Sequence, residues 1–189
     1  MLKKVLFSAA IVACGALQAA EPAIELSVTV KAPVSAVWKA WTSNEGLTSF
    51  FAPEAEVDAR PDGAFHIYMD PYGKPGMKGA DTMQVLALEP EQMLSFTWNA
   101  PPHLPLARAQ RTVVILRFVP VGESTELTLT HLGWGNSGEW PKARAYFEKA
   151  WPNVLKNLQT RFETGQPYDW TAWREQLRQW HAKEDAKQP

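Results

Sequence analysis

Alternating apolar and polar positions begin soon after residue 20. The apolar residues at 24, 26, 28 and 30 alternate with Glu25, Ser27 and Thr29, which is the period of a strand with one buried face. A helix is predicted over 33–41, because Pro33 stands in the position of a first helical turn and apolar residues follow at helical spacing. A second short helix follows Ser43, and Pro53 ends it.

The middle of the chain consists of short apolar runs divided by Gly, Pro, Asp and Glu, which is typical of strands joined by turns. Six strands are predicted here: 55–59, 64–69, 80–89, 93–99, 110–119 and 125–132. No helical segment separates them, which argues against parallel crossover units. With the first strand, the sequence predicts an antiparallel meander of about seven strands.

Apolar residues return at spacings of three and four after Trp140, and this predicts a long helix that covers the sheet and ends at Gly165. Pro152 lies inside the pattern and predicts a kink or a division near Trp151. Beyond Pro167 a further amphipathic helix is predicted, with Asp169 suited to its N-cap. Its apolar stripe consists of Trp170, Trp173, Leu177 and Trp180.

The first 20 residues have the pattern of a secretory signal: a basic start at Lys3 and Lys4, a short apolar run, and small residues at its end. The run is too short to anchor the chain by a transmembrane helix, and no later stretch is long enough. Cys14 offers an alternative, since its surroundings resemble a lipobox in which this cysteine would carry a lipid anchor. We therefore expect export, to the periplasm or as a membrane-anchored lipoprotein, and three segments: 1–20 signal peptide, 21–165 domain, 166–189 helical tail.

Composition and residue spacing argue against several classes of binding site. The 19 basic and 20 acidic side chains nearly balance, without long runs of either sign, so nucleic-acid binding is not expected. Cys14 is the only cysteine, and the four histidines show no metal-ligand spacing, so neither a metal nor a cofactor is expected. The glycine pattern at 133–138 follows the last strand of a meander and is interpreted as a loop rather than a dinucleotide site. Nine tryptophans indicate a wide core or an aromatic-lined pocket.

Several phrases resemble those of the SRPBCC (START-like) superfamily, and within it the homologues of the heat-shock-protein ATPase activator. They lie at 30–41, 60–65, 94–98, 125–131 and 151–158. The sequence departs from the family at Asp62 and Ala150, where glycine is usual. The resemblance implies an α+β helix-grip fold, a curved antiparallel sheet around a long C-terminal helix, with a cavity between them for an apolar molecule. An exported protein would not meet a cytosolic chaperone, so chaperone activation is not expected here.

Strand alternation then indicates which side chains face that cavity. The predicted ligand-binding residues are Trp38, Trp41, Phe65, Phe96, Trp98, Leu116, Leu129, His131, Trp151 and Leu158. His131 has two interpretations, a satisfied core histidine or a polar contact that orients a ligand.

Three functions remain open. The first is an exported binder of a small hydrophobic or amphipathic molecule or lipid. The second is a cyclase- or hydrolase-like envelope enzyme that uses the same cavity, with no catalytic residue assigned. The third is an interaction module acting through the tail helix, whose protein partner the sequence does not identify.

Overall fold

A computed structural model describes residues 21–187. The predicted signal peptide and the Cys14 lipid anchor lie outside this range. The elements, in chain order, are β1 (Ile24–Val30), α1 (Val34–Thr42), α2 (Asn44–Thr48), β2 (Glu54–Val57), β3 (Phe65–Tyr68), β4 (Gly79–Ala80), β5 (Val85–Glu89), β6 (Met93–Trp98), α3 (Pro105–Arg108), β7 (Thr112–Val121), β8 (Ser124–Leu132), α4 (Trp140–Thr164) and α5 (Thr171–Asp185).

The strands form two antiparallel sheets. Sheet A has the order β1-β8-β7-β6-β5, and sheet B has the order β2-β3-β4. The sheets meet where Phe65 N donates to Met83 O and Val85 N donates to Gly63 O, both at 2.9 Å. The α+β class and the helix-grip architecture predicted from the sequence are confirmed.

The predicted strand 80–89 is wrong as a single element. Its start pairs with β3 in sheet B, and its end, from Val85, pairs with β6 in sheet A. The division falls at a turn in which the Asp81 carboxylate accepts hydrogen bonds from Lys78 N at 3.3 Å and Gly79 N at 3.0 Å. A side chain that binds nearby backbone amides competes with strand pairing, so the chain changes sheet here.

Register places alternate residues of sheet A on one buried face. Phe96 is opposite Val114, which is opposite His131, and Leu94 is opposite Leu116, which is opposite Leu129. All six side chains are buried, which confirms the inward face predicted from the alternation. The core lies between this face and α4.

Helix α4 runs without interruption from Trp140 to Thr164, so the predicted division near Trp151 is wrong. Pro152 lies on the exposed face of the helix. The carbonyl of Glu148, which loses its amide partner to the proline, is on that same solvent side and can bind water instead. The opposite face buries Ala143, Phe147, Trp151, Leu155 and Leu158. Gly165 ends the helix in the left-handed conformation, with φ of 71°.

Helices α1 and α2 meet at close range. Ser43 caps α2, its hydroxyl accepting a hydrogen bond from Gly46 N at 3.1 Å. A Cβ on Gly46 would lie 2.5 Å from Ala40 O and 2.6 Å from Ala40 Cα. Glycine is therefore required where the two helix backbones touch.

Helix α5 packs back onto the domain. The Trp170 indole donates to Thr48 O, and the Trp173 indole donates to Met69 O, both at 2.7 Å. Arg174 donates to Pro53 O at 2.9 Å. The helix begins at Thr171 rather than directly after Asp169, although the Asp169 carboxylate does accept a hydrogen bond from Thr171 N at 2.9 Å.

Candidate functional site

The space between sheet A and α4 is lined by aromatic rings in mutual contact. Trp98 of β6 lies 5.4 Å from Trp151 of α4 and 5.7 Å from Phe96, measured between ring centroids. Phe51, from the segment after α2, lies 5.8 Å from both tryptophans. The rings come from β6, from α4 and from the segment after α2, so their contacts hold these three parts of the chain together.

A hydrogen-bond chain crosses this interior through His131. The Trp151 indole donates to His131 Nδ1 at 2.9 Å. An indole nitrogen only donates, so Nδ1 is the unprotonated nitrogen and Nε2 carries the proton. Nε2 therefore donates to Thr112 Oγ1 at 2.7 Å, and the Thr112 hydroxyl donates to Trp98 O at 3.3 Å. Both ring nitrogens of His131 thus have partners inside the protein.

The surroundings of His131 keep it neutral. Its side chain is fully buried among Trp134, Phe147 and Trp151. Burial, followed by the positive charge of Arg144, lowers the pKa of His131 from 6.5 to about 3. A general base works best with a pKa near the working pH, so this histidine is poorly suited to proton transfer in neutral solution. The Asp81 carboxylate binds Arg108 at 3.1 Å and is not among the hydrogen-bond partners of this histidine.

Trp41 has a different environment. It is fully buried on α1, with its ring 5.1 Å from Phe50 and 5.6 Å from Phe51. Among residues 21–187, its Nε1 is the only fully buried side-chain nitrogen or oxygen without a hydrogen-bond partner. Buried donors are nearly always paired in folded proteins, so this indole group is an unusual feature of the core.

Of the other five predicted site residues, four are buried in this core, and Trp38 is only packed against it. Phe65 stacks on Phe96 at 3.9 Å, which extends the aromatic cluster toward sheet B. Three aliphatic residues, Leu116, Leu129 and Leu158, are completely buried in the same core. Trp38 is only partly buried, and its ring neighbour is Phe118, at 5.3 Å, rather than a member of the cluster.

Sequence reasoning missed Phe51, Phe147 and Thr112 as members of this interior. Phe51 lies two residues before Pro53, at the end of the predicted short helix, where the periodicity is too short to assign a face; in the structure α2 has already ended at Thr48. Phe147 shares the apolar stripe of α4 with Trp151, so the helical spacing contained a signal for it. Thr112 begins β7, and nothing in its neighbourhood indicates that it would bind a histidine.

Two surface cavities lie elsewhere, and none of the ten predicted residues lines either of them. One, of about 470 Å³, lies between the α1–α2 junction and the end of α4, beside Lys39, Arg161 and Phe162. The other, of about 270 Å³, lies beside α3. The loop 99–109 that carries α3 is held by the Glu139 carboxylate, which accepts hydrogen bonds from Leu106 N at 2.8 Å and Ala107 N at 3.0 Å.

Within the described range, no cluster of three or more His, Cys, Asp or Glu side chains is arranged to hold a metal ion. None of the helices in that range is both long and apolar enough to cross a bilayer.

The family model described as "Activator of Hsp90 ATPase homolog 1-like protein" matches residues 31–163, from the residue after β1 through nearly all of α4. This match includes the strands and helices that enclose the aromatic interior. The chain belongs to this family. The AHSA1-like branch of the SRPBCC superfamily that the sequence phrases suggested is therefore confirmed. No curated protein matches the chain.

Solved structures share the AHSA1-like fold. Protein MLL2253 from Mesorhizobium loti is 22% identical, with a TM-score of 0.62, over 75% of this chain and 97% of its own. The Aha1 dimer from Colwellia psychrerythraea is 17% identical, with a TM-score of 0.59, over 77% and 98%. CalU16 from Micromonospora echinospora is 23% identical, with a TM-score of 0.55, over 83% and 81%. At these identities the likeness concerns the fold alone.

Membership in the AHSA1-like family supports a ligand-binding or activator-type domain. Because the match ends at residue 163, α5 lies beyond it.

Proposed function

We propose that this protein is exported and binds a small, largely apolar molecule bearing one hydrogen-bond acceptor, in the interior between sheet A and α4. The observation that carries the proposal is the unpartnered Nε1 of Trp41. Export rests on the signal-like pattern of residues 1–20, and it favours ligand binding over the activation of a cytosolic chaperone.

The indole of Trp41 supports a ligand of this kind for an energetic reason. A buried donor without a partner costs about 1–3 kcal/mol. Its ring neighbours, Phe50 and Phe51, offer no acceptor. A guest with a carbonyl, hydroxyl or ether oxygen would recover that free energy, while its apolar part would contact aromatic rings.

Phe51 is the ring whose movement would make room for the guest. It contacts Trp41, Trp98 and Trp151, which come from three different elements. It belongs to the connection between α2 and β2, so its displacement breaks no strand pairing and no helix. Phe51 is buried against these rings, and the ligand would take the space that this ring leaves.

Two probes of the same shape test the role of the acceptor: acetophenone, which has a carbonyl, and ethylbenzene, which has none. We expect acetophenone to bind about tenfold more tightly, since satisfying a buried donor is worth about 1–3 kcal/mol. Acetophenone should also shift the Trp41 indole signal in ¹H–¹⁵N spectra downfield. That signal is assigned by its loss in the Trp41→Phe variant.

The Trp41→Phe variant should lose the preference for acetophenone and keep the binding of ethylbenzene. Trp38→Phe, the same change on the same helix at a partly exposed position, is the matched control and should keep the preference. Equal affinity for the two probes in the wild-type protein, or an unmoved Trp41 signal at saturation, would exclude the proposed site. Export is tested separately by the intact mass of the mature protein, which distinguishes a chain that begins near Glu21 from one lipidated at Cys14.

A further inference from the structure

The cavity beside α3 combines an apolar wall with polar side chains that are not part of the aromatic interior. Its base is the ion pair between Asp81 and Arg108, whose side chains are each 11% exposed. Arg108 also donates to the carbonyls of Gly76 at 2.6 Å, Gly79 at 2.7 Å and Ala100 at 2.7 Å. The pair therefore fixes the 76–81 turn, α3 and the end of β6 to one another, which gives the cavity a rigid base.

Asn99 lines the same cavity and is 7% exposed. In the described part of the chain its side-chain amide has no hydrogen-bond partner among the protein groups, although the amide offers two donors and an acceptor. Since Trp41 Nε1 is the only fully buried side-chain nitrogen or oxygen without a partner in residues 21–187, the Asn99 amide is not fully buried. It faces the cavity and is available to a molecule there.

Arg111 supplies a charge that nothing in residues 21–187 neutralises through an ion pair, whereas Asp81 and Arg108 compensate each other. Its guanidinium is nevertheless held in place. Nη1 donates to the carbonyls of Arg108 at 3.0 Å and Gln110 at 3.2 Å, and Nη2 donates to Thr82 Oγ1 at 3.2 Å. Three of its five N–H groups are used in this way, and the two that remain suit a carboxylate.

We propose that this cavity binds a small organic carboxylate, with the carboxylate on Arg111 and Asn99 and the apolar body against Met77, Pro102 and Pro105. The apolar wall distinguishes this ligand from an inorganic anion, which would gain nothing from it. The volume of about 270 Å³ fits a molecule with a single ring. This site is separate from the interior proposed above, since the two share no lining residue.

Benzoate is the probe, with benzyl alcohol as a neutral molecule of similar size and inorganic phosphate as an anion without an apolar body. We expect saturable binding of benzoate by calorimetry and a shift of the Asn99 side-chain amide signals in ¹H–¹⁵N spectra. Arg111→Gln should weaken benzoate binding tenfold or more, because it removes charge-assisted hydrogen bonds. Asn99→Asp, nearly the same size, should weaken it at least as much by placing a negative charge beside the anion.

Arg117→Gln is the matched control: it removes the same charge from another exposed arginine of the β7 region and should change the affinity by less than twofold. The proposal is overturned if Arg117→Gln weakens binding as much as Arg111→Gln, if phosphate or benzyl alcohol binds as tightly as benzoate, or if benzoate shows no saturable binding. A shift of the Trp41 indole in place of the Asn99 amide would place benzoate in the interior; that result overturns this site and leaves the proposed function standing.

Discussion

Acidification tests the neutral hydrogen-bonded state of His131 directly. The pKa of this histidine is about 3 in the folded protein and 6.5 in an unfolded chain. The unfolded state therefore binds more protons than the folded state between these values, and the free energy of unfolding falls as the pH falls. The loss begins near the unfolded pKa and continues down to the folded one.

The size of the effect follows from the two pKa values. Between about pH 7 and pH 5, His131 should remove about 2 kcal/mol from the free energy of unfolding, and about a third of this is lost by pH 6. For a domain of this size that is a substantial part of the total stability. The cause is structural: protonation of Nδ1 would place two donors, this nitrogen and the Trp151 indole, 2.9 Å apart in a buried site.

Urea unfolding followed by tryptophan fluorescence at pH 7, 6 and 5 measures this quantity. The comparison is with His131→Gln, which carries an amide that does not titrate and leaves every other titratable group in place. Subtracting the two profiles isolates His131. Parallel profiles for the two proteins would show that His131 is not held neutral, and would refute the assignment of its ring nitrogens.

Two further substitutions test the packing. Gly46→Ala should lower the free energy of unfolding by at least about 2 kcal/mol, because the new Cβ meets the backbone of Ala40 at 2.5 Å. The control is Gly122→Ala, at φ of 60° with open space around it, which should cost only about 1 kcal/mol. Equal losses of stability in urea unfolding would contradict the close contact at Gly46. Trp173→Phe removes the hydrogen bond that the indole donates to Met69 O. Amide hydrogen exchange in α5 should therefore become several times faster, while exchange in α4 is unchanged. Unaltered exchange in α5 would mean that this bond does not hold the helix on the domain.

Periodicity was sufficient for much of the architecture. The alternation of apolar residues over 125–132 and the apolar stripe that includes Trp151 arise because one face of each element is buried. This periodicity can be recognised in a single sequence. The errors occur where a contact with another part of the chain decides the outcome. Asp81 binds amides and Arg108 rather than extending a strand, and Pro152 is tolerated because it lies on the outer face of α4.

The candidate sites were less predictable than the fold for the same reason. The apolar setting of His131 could be inferred from strand alternation, but its bonds to Thr112 and Trp151 join residues 19 and 20 positions away. Asn99 ends one predicted strand and Arg111 lies at the start of the next, with a proline-rich loop between them, and charges at strand ends are usually solvated. Their convergence on one cavity depends on how α3 folds back over the 76–81 turn.

The attachment of α5 has a consequence for how the protein is handled. The linker 165–169 is exposed along its whole length, whereas the helix that follows is fixed to Thr48 O and Met69 O, carbonyls from two separate parts of the domain. A single protease cut in the linker would leave α5 attached by noncovalent contacts alone, so dilution would release it. A purified preparation cut at this point would lose the surface formed by α5. Its larger fragment would still contain the whole family match, residues 31–163, so loss of the helix would show only as a small decrease in mass on a gel.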